Sequence, residues 1–175
     1  MFILALKILA ALFVAAILVV WLYIYLQGDS AVALVKEKVG APVKISCTAE
    51  QLDFYVDIPC LNAGKEEGTI LDAFLRVYLP EEQYDGVRIR GKVNLADKPR
   101  QDDYFEAELI GAGVTKMLRL YLEVCPKRGK SMQEALAELP DYEIGVFVEG
   151  RGRTALRYIK EYITISAADL RKFVA

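Results

Sequence analysis

A chain of 175 residues, 54% hydrophobic, with a net charge of −2 and no histidine, has room for one ordinary domain and an apolar appendage. The missing histidine excludes His-based nucleophile triads, Cys–His dyads and imidazole metal sites. The near-balance of charge gives no electrostatic case for a nucleic-acid partner.

The apolar excess lies at the front. From Ile8 to Leu26 the chain reads "ILAALFVAAILVVWLYIYL", without a charge, glycine or proline. As a helix this stretch covers roughly 28 Å, close to the hydrocarbon thickness of a bilayer. Trp21, Tyr23 and Tyr25 sit at its C-terminal end, where amphipathic rings favour the headgroup level, and Lys7 can extend outward at the other end. Residues 1–27 therefore read as one transmembrane helix, a signal anchor, with the lipid bilayer as the first expected partner. Ala31-Val32-Ala33 has the form of a cleavage site, but the apolar run is longer than that of an ordinary signal peptide. A short leading tail with Lys7 suits an N-terminus inside the cell and a domain outside the cytoplasm. Residues 28–42 read as a stalk, in which Ser30 caps a helical turn or two and Gly40 and Pro42 end it.

From Val43 the period changes to two. Val43, Ile45 and Cys47 alternate with polar residues, and Leu52, Phe54, Val56, Ile58 and Cys60 alternate with Asp53, Tyr55, Asp57 and Pro59. That is the pattern of a strand with one buried face. "NAGKEEGT" follows. Lys65 precedes Gly68, and a strand comes next instead of a helix, so this is a turn and not a phosphate loop. Residues 68–80 repeat the alternation with Leu71, Ala73, Leu75 and Val77 inward. Residues 86–97 place Val87, Ile89, Val93 and Leu95 on one face and Arg88, Arg90 and Lys92 on the other. Strands are further expected over 103–111, 114–125, 142–150 and 154–166. One helix interrupts them at 131–140, opened by Ser131 and Glu134 in capping-box spacing and stopped by Pro140. A last short helix starts near Ser166. The expectation is a mostly β chain: an Ig-like antiparallel β-sandwich of about eight strands with one short crossing helix over 43–166, then a helical tail at 167–175.

"LPDYEIGVFVEG" resembles the start of the penultimate strand of immunoglobulin-like and fibronectin type III-like domains. Tyr142 matches the tyrosine whose hydroxyl pins the preceding corner in such domains. "VDIPCLNAGKEEGTILD" is similar to the N-x-G turn of prokaryotic CARDB-like modules. The resemblance implies a fold and a role in adhesion or assembly, and it brings no catalytic residue. The paired cysteines and central tryptophan of antibody-type domains are missing.

Cys47, Cys60 and Cys125 are widely spaced and odd in number, so at most one intrachain disulfide forms and one thiol is left over; without a C-x-x-C spacing, buried free thiols are the favoured reading. The acidic pairs Glu81-Glu82, Asp102-Asp103 and Asp53/Asp57 lack the spacing of a calcium loop and read as solvated turn residues. No catalytic residue, metal ligand or cofactor is expected. The row Arg88, Arg90, Lys92 is the candidate face for an anionic partner, with Arg151, Arg153 and Arg157 as a second group. The competing reading of the row is a cross-strand ladder against Glu106 and Glu108. The chain thus reads as a membrane-anchored, non-enzymatic Ig-like binding, adhesion or accessory module at the cell surface, whose partner is another protein or a cell-surface polymer. The alternative is a structural subunit of a larger membrane complex. A carboxylate-dependent hydrolase and a pilin-like filament subunit have less behind them; the second lacks a basic-Gly processing site before the apolar run.

Overall fold

The computed structural model describes residues 2–153 and 155–174. Met1 and Ala175, at the ends of the expected segments 1–27 and 167–175, and Thr154, at the expected start of the last strand, lie outside the described residues.

The chain opens with α1 (Phe2–Gln27), followed by β1 (Val32–Leu34) and a 3₁₀ turn at Lys36–Lys38. The strands β2 (Val43–Cys47), β3 (Leu52–Asn62), β4 (Gly68–Tyr78), β5 (Val87–Leu95), β6 (Glu108–Ile110) and β7 (Thr115–Pro126) come next. A short helix α2 (Met132–Ala137) crosses to β8 (Tyr142–Arg151) and β9 (Leu156–Ile165), and α3 (Ala167–Arg171) closes the chain.

Two antiparallel sheets face each other. The first has the order β1-β3-β7-β5, with β2 pairing the other end of β3; the second has the order β6-β4-β8-β9. Setting β1 as strand A and β3, β4, β5, β7, β8 and β9 as strands B to G gives A-B-E-D against C-F-G, with β2 and β6 as additional short strands on B and C. That is the strand order of the constant-type immunoglobulin sandwich. The alternation read from the sequence supplies the core. Leu52, Phe54, Val56 and Ile58 of β3 and Leu118, Leu120, Leu122 and Val124 of β7 are buried from one side. Ile144, Val146, Val148, Ile163 and Ile165 meet them from the other. The capping box of α2 forms as its spacing predicts, with both Ser131 and Glu134 bonding reciprocally.

Four expectations are corrected. Residues 28–42 are not a free stalk, because Val32, Ala33 and Leu34 pair with Asn62, Leu61 and Cys60 as an edge strand. The strand expected at 103–111 shrinks to Glu108–Ile110, because the Arg100 guanidinium binds both Asp102 and Glu106 and holds the preceding residues in a loop. A bulge between Ile70 and Asp72 shifts the parity of β4, so Ile70, and not Leu71, is fully buried. Tyr142 does stand at the start of β8, but its buried hydroxyl has no hydrogen-bond partner among the described residues. Asp141 Oδ1 accepts from Ala167 N at 2.7 Å, and Arg171 donates to the carbonyls of Leu136 and Leu139, so these groups hold the corner instead.

Candidate functional site

Three regions carry side chains placed by the fold for something beyond core packing. The first is the exit of α1. The apolar residues of this helix from Phe2 to Leu26 are all exposed, and it is long and apolar enough to cross a membrane. Lys7 lies in its second turn, Tyr23 is exposed, and Trp21 and Tyr25 stack one turn apart at 5.9 Å between ring centroids. Gly28 then turns the chain at φ +81°. The exit is clamped onto the sandwich. Arg153, in the β8–β9 turn, donates to Ile24 O (3.1 Å) and Gln27 Oε1 (2.6 Å). The Arg153 amide donates to Asp29 Oδ1, and Arg157 lies 4.0 Å from Asp29 Oδ2.

The turn "NAGKEEGT" is the other half of the clamp. Fully buried Asn62 accepts from the amides of Ala31 and Gly64 and donates to the carbonyls of Glu66 and Ile110, all within 3.0 Å. A Cβ on Gly64 would collide with the backbone of Asp29 to Ala31, and one on Gly152 with the Asp29 carboxylate and the Ser30 hydroxyl, so both close approaches depend on glycine. The sequence signalled a turn here and the structure has one; what it did not signal is that this turn grips the segment leaving α1.

The second region is the outer face of the β3-β7-β5 sheet. Arg88, Arg90 and Lys92 stand on β5 opposite Cys125, Glu123 and Tyr121 of β7. Lys92 is engaged: its Nζ donates to the carbonyls of Arg100, Gln101 and Asp102 at 3.2, 2.7 and 3.4 Å. On the next rung, Arg119 binds Asp57 with two hydrogen bonds of 2.8 Å and lies 4.0 Å over the Tyr55 ring. The ladder partners anticipated for the Arg row are elsewhere. Glu106 binds Arg100, and Glu108 binds Lys98 (2.6 Å) and Lys116 (2.9 Å), which hold its carboxyl below the usual carboxylate range. A groove of about 400 Å³ runs along this face between Asp53, Arg90, Lys92, Asp103 and Glu123.

The third region, which sequence reasoning missed, is the outer face of the β4-β8-β9 sheet. Phe74 and Phe147 are directly opposite and stack with centroids 4.9 Å apart and planes 5° apart. The Arg76 guanidinium lies over both rings, at 5.7 and 5.5 Å. Lys160 sits over Phe147 at 5.1 Å and over Tyr162 at 4.5 Å, and Tyr78 meets Tyr162 edge-on at 5.5 Å. These rings lean across Gly145, where an added Cβ would meet Tyr78 at 2.8 Å and Phe147 at 3.1 Å. The signal was present in the sequence: Phe74, Arg76 and Tyr78 on β4 and Tyr158, Lys160 and Tyr162 on β9 occupy the outward parity of their strands.

The remaining reactive groups are quiet. The three cysteines are unpaired; Cys47 is exposed, Cys125 is half-buried, and burial pushes the Cys60 thiol up to about 12. Four of the six acids singled out by spacing have local partners: Asp53 with Ser46 and Gln51, Asp57 with Arg119, Asp102 with Arg100 and Glu81 with Lys127. Among the described residues no three acids or thiols gather as a metal site.

No protein-family model matches the chain, and no curated protein matches it. Among solved structures, the GAE domain of GGA2p from Saccharomyces cerevisiae is similar over 73% of this chain and 99% of its own, at 9% identity and a TM-score of 0.34. The yeast GGA1 GAE domain is similar over 71% and 97%, at 7% identity and a TM-score of 0.32. The CooA pilin subunit of enterotoxigenic Escherichia coli is similar over 77% and 95%, at 14% identity and a TM-score of 0.36. The immunoglobulin-like class is defined by the strand order and pairing given above, not by these overlays.

Proposed function

We propose that the chain is a membrane-anchored, non-enzymatic binding or accessory module, with its N-terminus inside the cell and its sandwich outside the cytoplasm. The observation that carries this reading is α1: a 26-residue helix, apolar and exposed but for Lys7 and Gln27, joined to a folded sandwich by Arg153, Asp29 and Asn62. A helix so apolar needs lipid or other apolar helices around it, and a clamp of this kind suits an anchor that stays attached. The sandwich offers two outer faces, and Asp53, one of the three acids lining the groove on the first of them, is taken up by Ser46 and Gln51, which favours binding over hydrolysis. A CARDB-like affinity rests on the N-x-G turn and the sandwich order together, and an adhesion role at the cell surface follows the same line.

The test is mild detergent extraction from native membranes, followed by size analysis and mass spectrometry of whatever migrates with the chain. A chain that runs with one soluble or surface partner, or alone, fits the binding module. A discrete assembly with other membrane proteins replaces it with the structural-subunit reading. Recovery in the soluble fraction without detergent removes the anchor altogether. Orientation is read separately: a membrane-impermeant maleimide should label exposed Cys47 in intact cells if the sandwich lies outside.

A further inference from the structure

The outer face of the β4-β8-β9 sheet has a composition that packing within the chain does not explain. Phe74 is 41% exposed and Tyr158 is 77% exposed. Cross-strand stacking accounts for Phe74 against Phe147. Tyr158 has no ring or cation contact among the described residues, although it continues the same row. Arg76 and Lys160 stand between the rings, and neither is paired with a carboxylate among the described residues. Their ring contacts fix where the charges sit, and leave the solvent side of each cation to attract an anion.

The acids on this face are displaced to its ends. Asp72 and Glu149 pair across the strands beside Tyr158, and Glu143 lies opposite Tyr78 and Thr164. The face therefore reads acidic, cationic, acidic along the strand direction, with aromatic rings throughout. From Tyr158 to Tyr162 the row is about 13 Å long at the rise of a β-strand. A ligand matched to it is elongated, carries one anionic group at its centre, and presents flat apolar faces and hydroxyls on either side. Sugar rings supply such faces to aromatic platforms, and their hydroxyls can donate to Asp72, Glu149 and Glu143. A uniformly acidic strand would instead meet like charge at both ends.

We propose that this face binds an acidic polysaccharide in which acidic sugars alternate with neutral ones. Arg76 and Lys160 hold the carboxylate of one acidic sugar, while the exposed rings of Tyr158 and Tyr162 stack the neighbouring sugars. The proposal rests on the reading of the chain as an outward-facing binding module, and it names the ligand class and the site.

The test uses the full chain in detergent micelles, titrated calorimetrically with a hyaluronan hexasaccharide, whose acidic and neutral sugars alternate. Maltohexaose, which has no acidic group, is the control. Saturable binding of the hyaluronan fragment alone is expected. Arg76→Gln and Lys160→Gln should each weaken it about tenfold, the scale of one charged hydrogen bond. Tyr158→Ala should weaken it several-fold. No saturable binding up to millimolar ligand overturns the proposal, as does equal binding of maltohexaose or full affinity in the Arg76→Gln/Lys160→Gln double variant. A dimer seen by sedimentation and abolished by Tyr158→Ala overturns it in favour of a second copy on this face. An acidic peptide that outcompetes the glycan at the same residues overturns it in favour of a protein partner. These results are independent of the Cys47 labelling, so a cytoplasmic sandwich would break the outward-facing reading without altering the calorimetry.

Discussion

The outer faces of the two sheets use their charges in opposite ways. On the β3-β7-β5 face, two of the cations are tied to groups of the same chain: Arg119 to Asp57, and Lys92 to three loop carbonyls. On the β4-β8-β9 face, Arg76 and Lys160 lie over aromatic rings. Charges of the first kind hold the sandwich together, since charge-assisted bonds between partly buried groups contribute to stability. Charges of the second kind contribute little to it, since a ring is a weak partner for an exposed cation. A row of basic residues in a strand is therefore not by itself a docking face. Whether it is depends on what the neighbouring strand and loop place against it.

The contrast can be broken by mutation. The largest effect is expected from Asp57→Ala, which leaves the half-buried Arg119 guanidinium without its carboxylate and should cost about 2 kcal/mol in urea unfolding. Lys92→Met should come next. It removes the donor to three carbonyls of the 100–102 loop, lowers stability by about 1 kcal/mol, and speeds amide exchange over residues 97–105. If neither variant moves the denaturation midpoint, the first face is not structural and the comparison fails.

A smaller effect is expected from Glu108→Gln, and it should depend on pH. Lys98 and then Lys116 hold the Glu108 carboxyl below the usual range. Its stabilising contribution is thus present at neutral pH and is lost as pH falls through the lowered value. The wild-type advantage over Glu108→Gln should be full at pH 7 and shrink below about pH 4; an advantage that grows toward acid would contradict the geometry. The smallest effect belongs to the other face: Arg76→Gln and Lys160→Gln should leave the urea midpoint unchanged. A marked loss of stability in either would place these cations in the same structural role as Arg119.

Much of the fold was legible because alternation at period two survives in β3, β5, β7 and β8, and because Ser131 and Glu134 stand at capping-box spacing. What stayed hidden depends on distant partners. Three residues, Val32–Leu34, are too few to show a period, and they are a strand only because the end of β3 pairs with them. The bulge that exchanges Leu71 for Ile70 in the core is a property of the β4–β8 pairing. Glu106 and Glu108 are near the Arg row in sequence, but the loop carries them to other cations. The aromatic row had the opposite fault. Its parity was plain in each strand, but it becomes a platform only when the topology sets β4 and β9 on either side of β8.

The grip of Asn62 and Arg153 on the segment leaving α1 has a mechanical consequence. A domain on a loose tether sweeps a hemisphere and meets partners at any angle. Here the rotation of the helix about its own axis and the heading of both sheets are one variable, because the β3–β4 and β8–β9 turns bite on the same three residues, Asp29 to Ala31. The sandwich behaves as a bracket fixed to a post: a rotation of the helix reaches both turns, and so both faces, through Asp29 to Ala31.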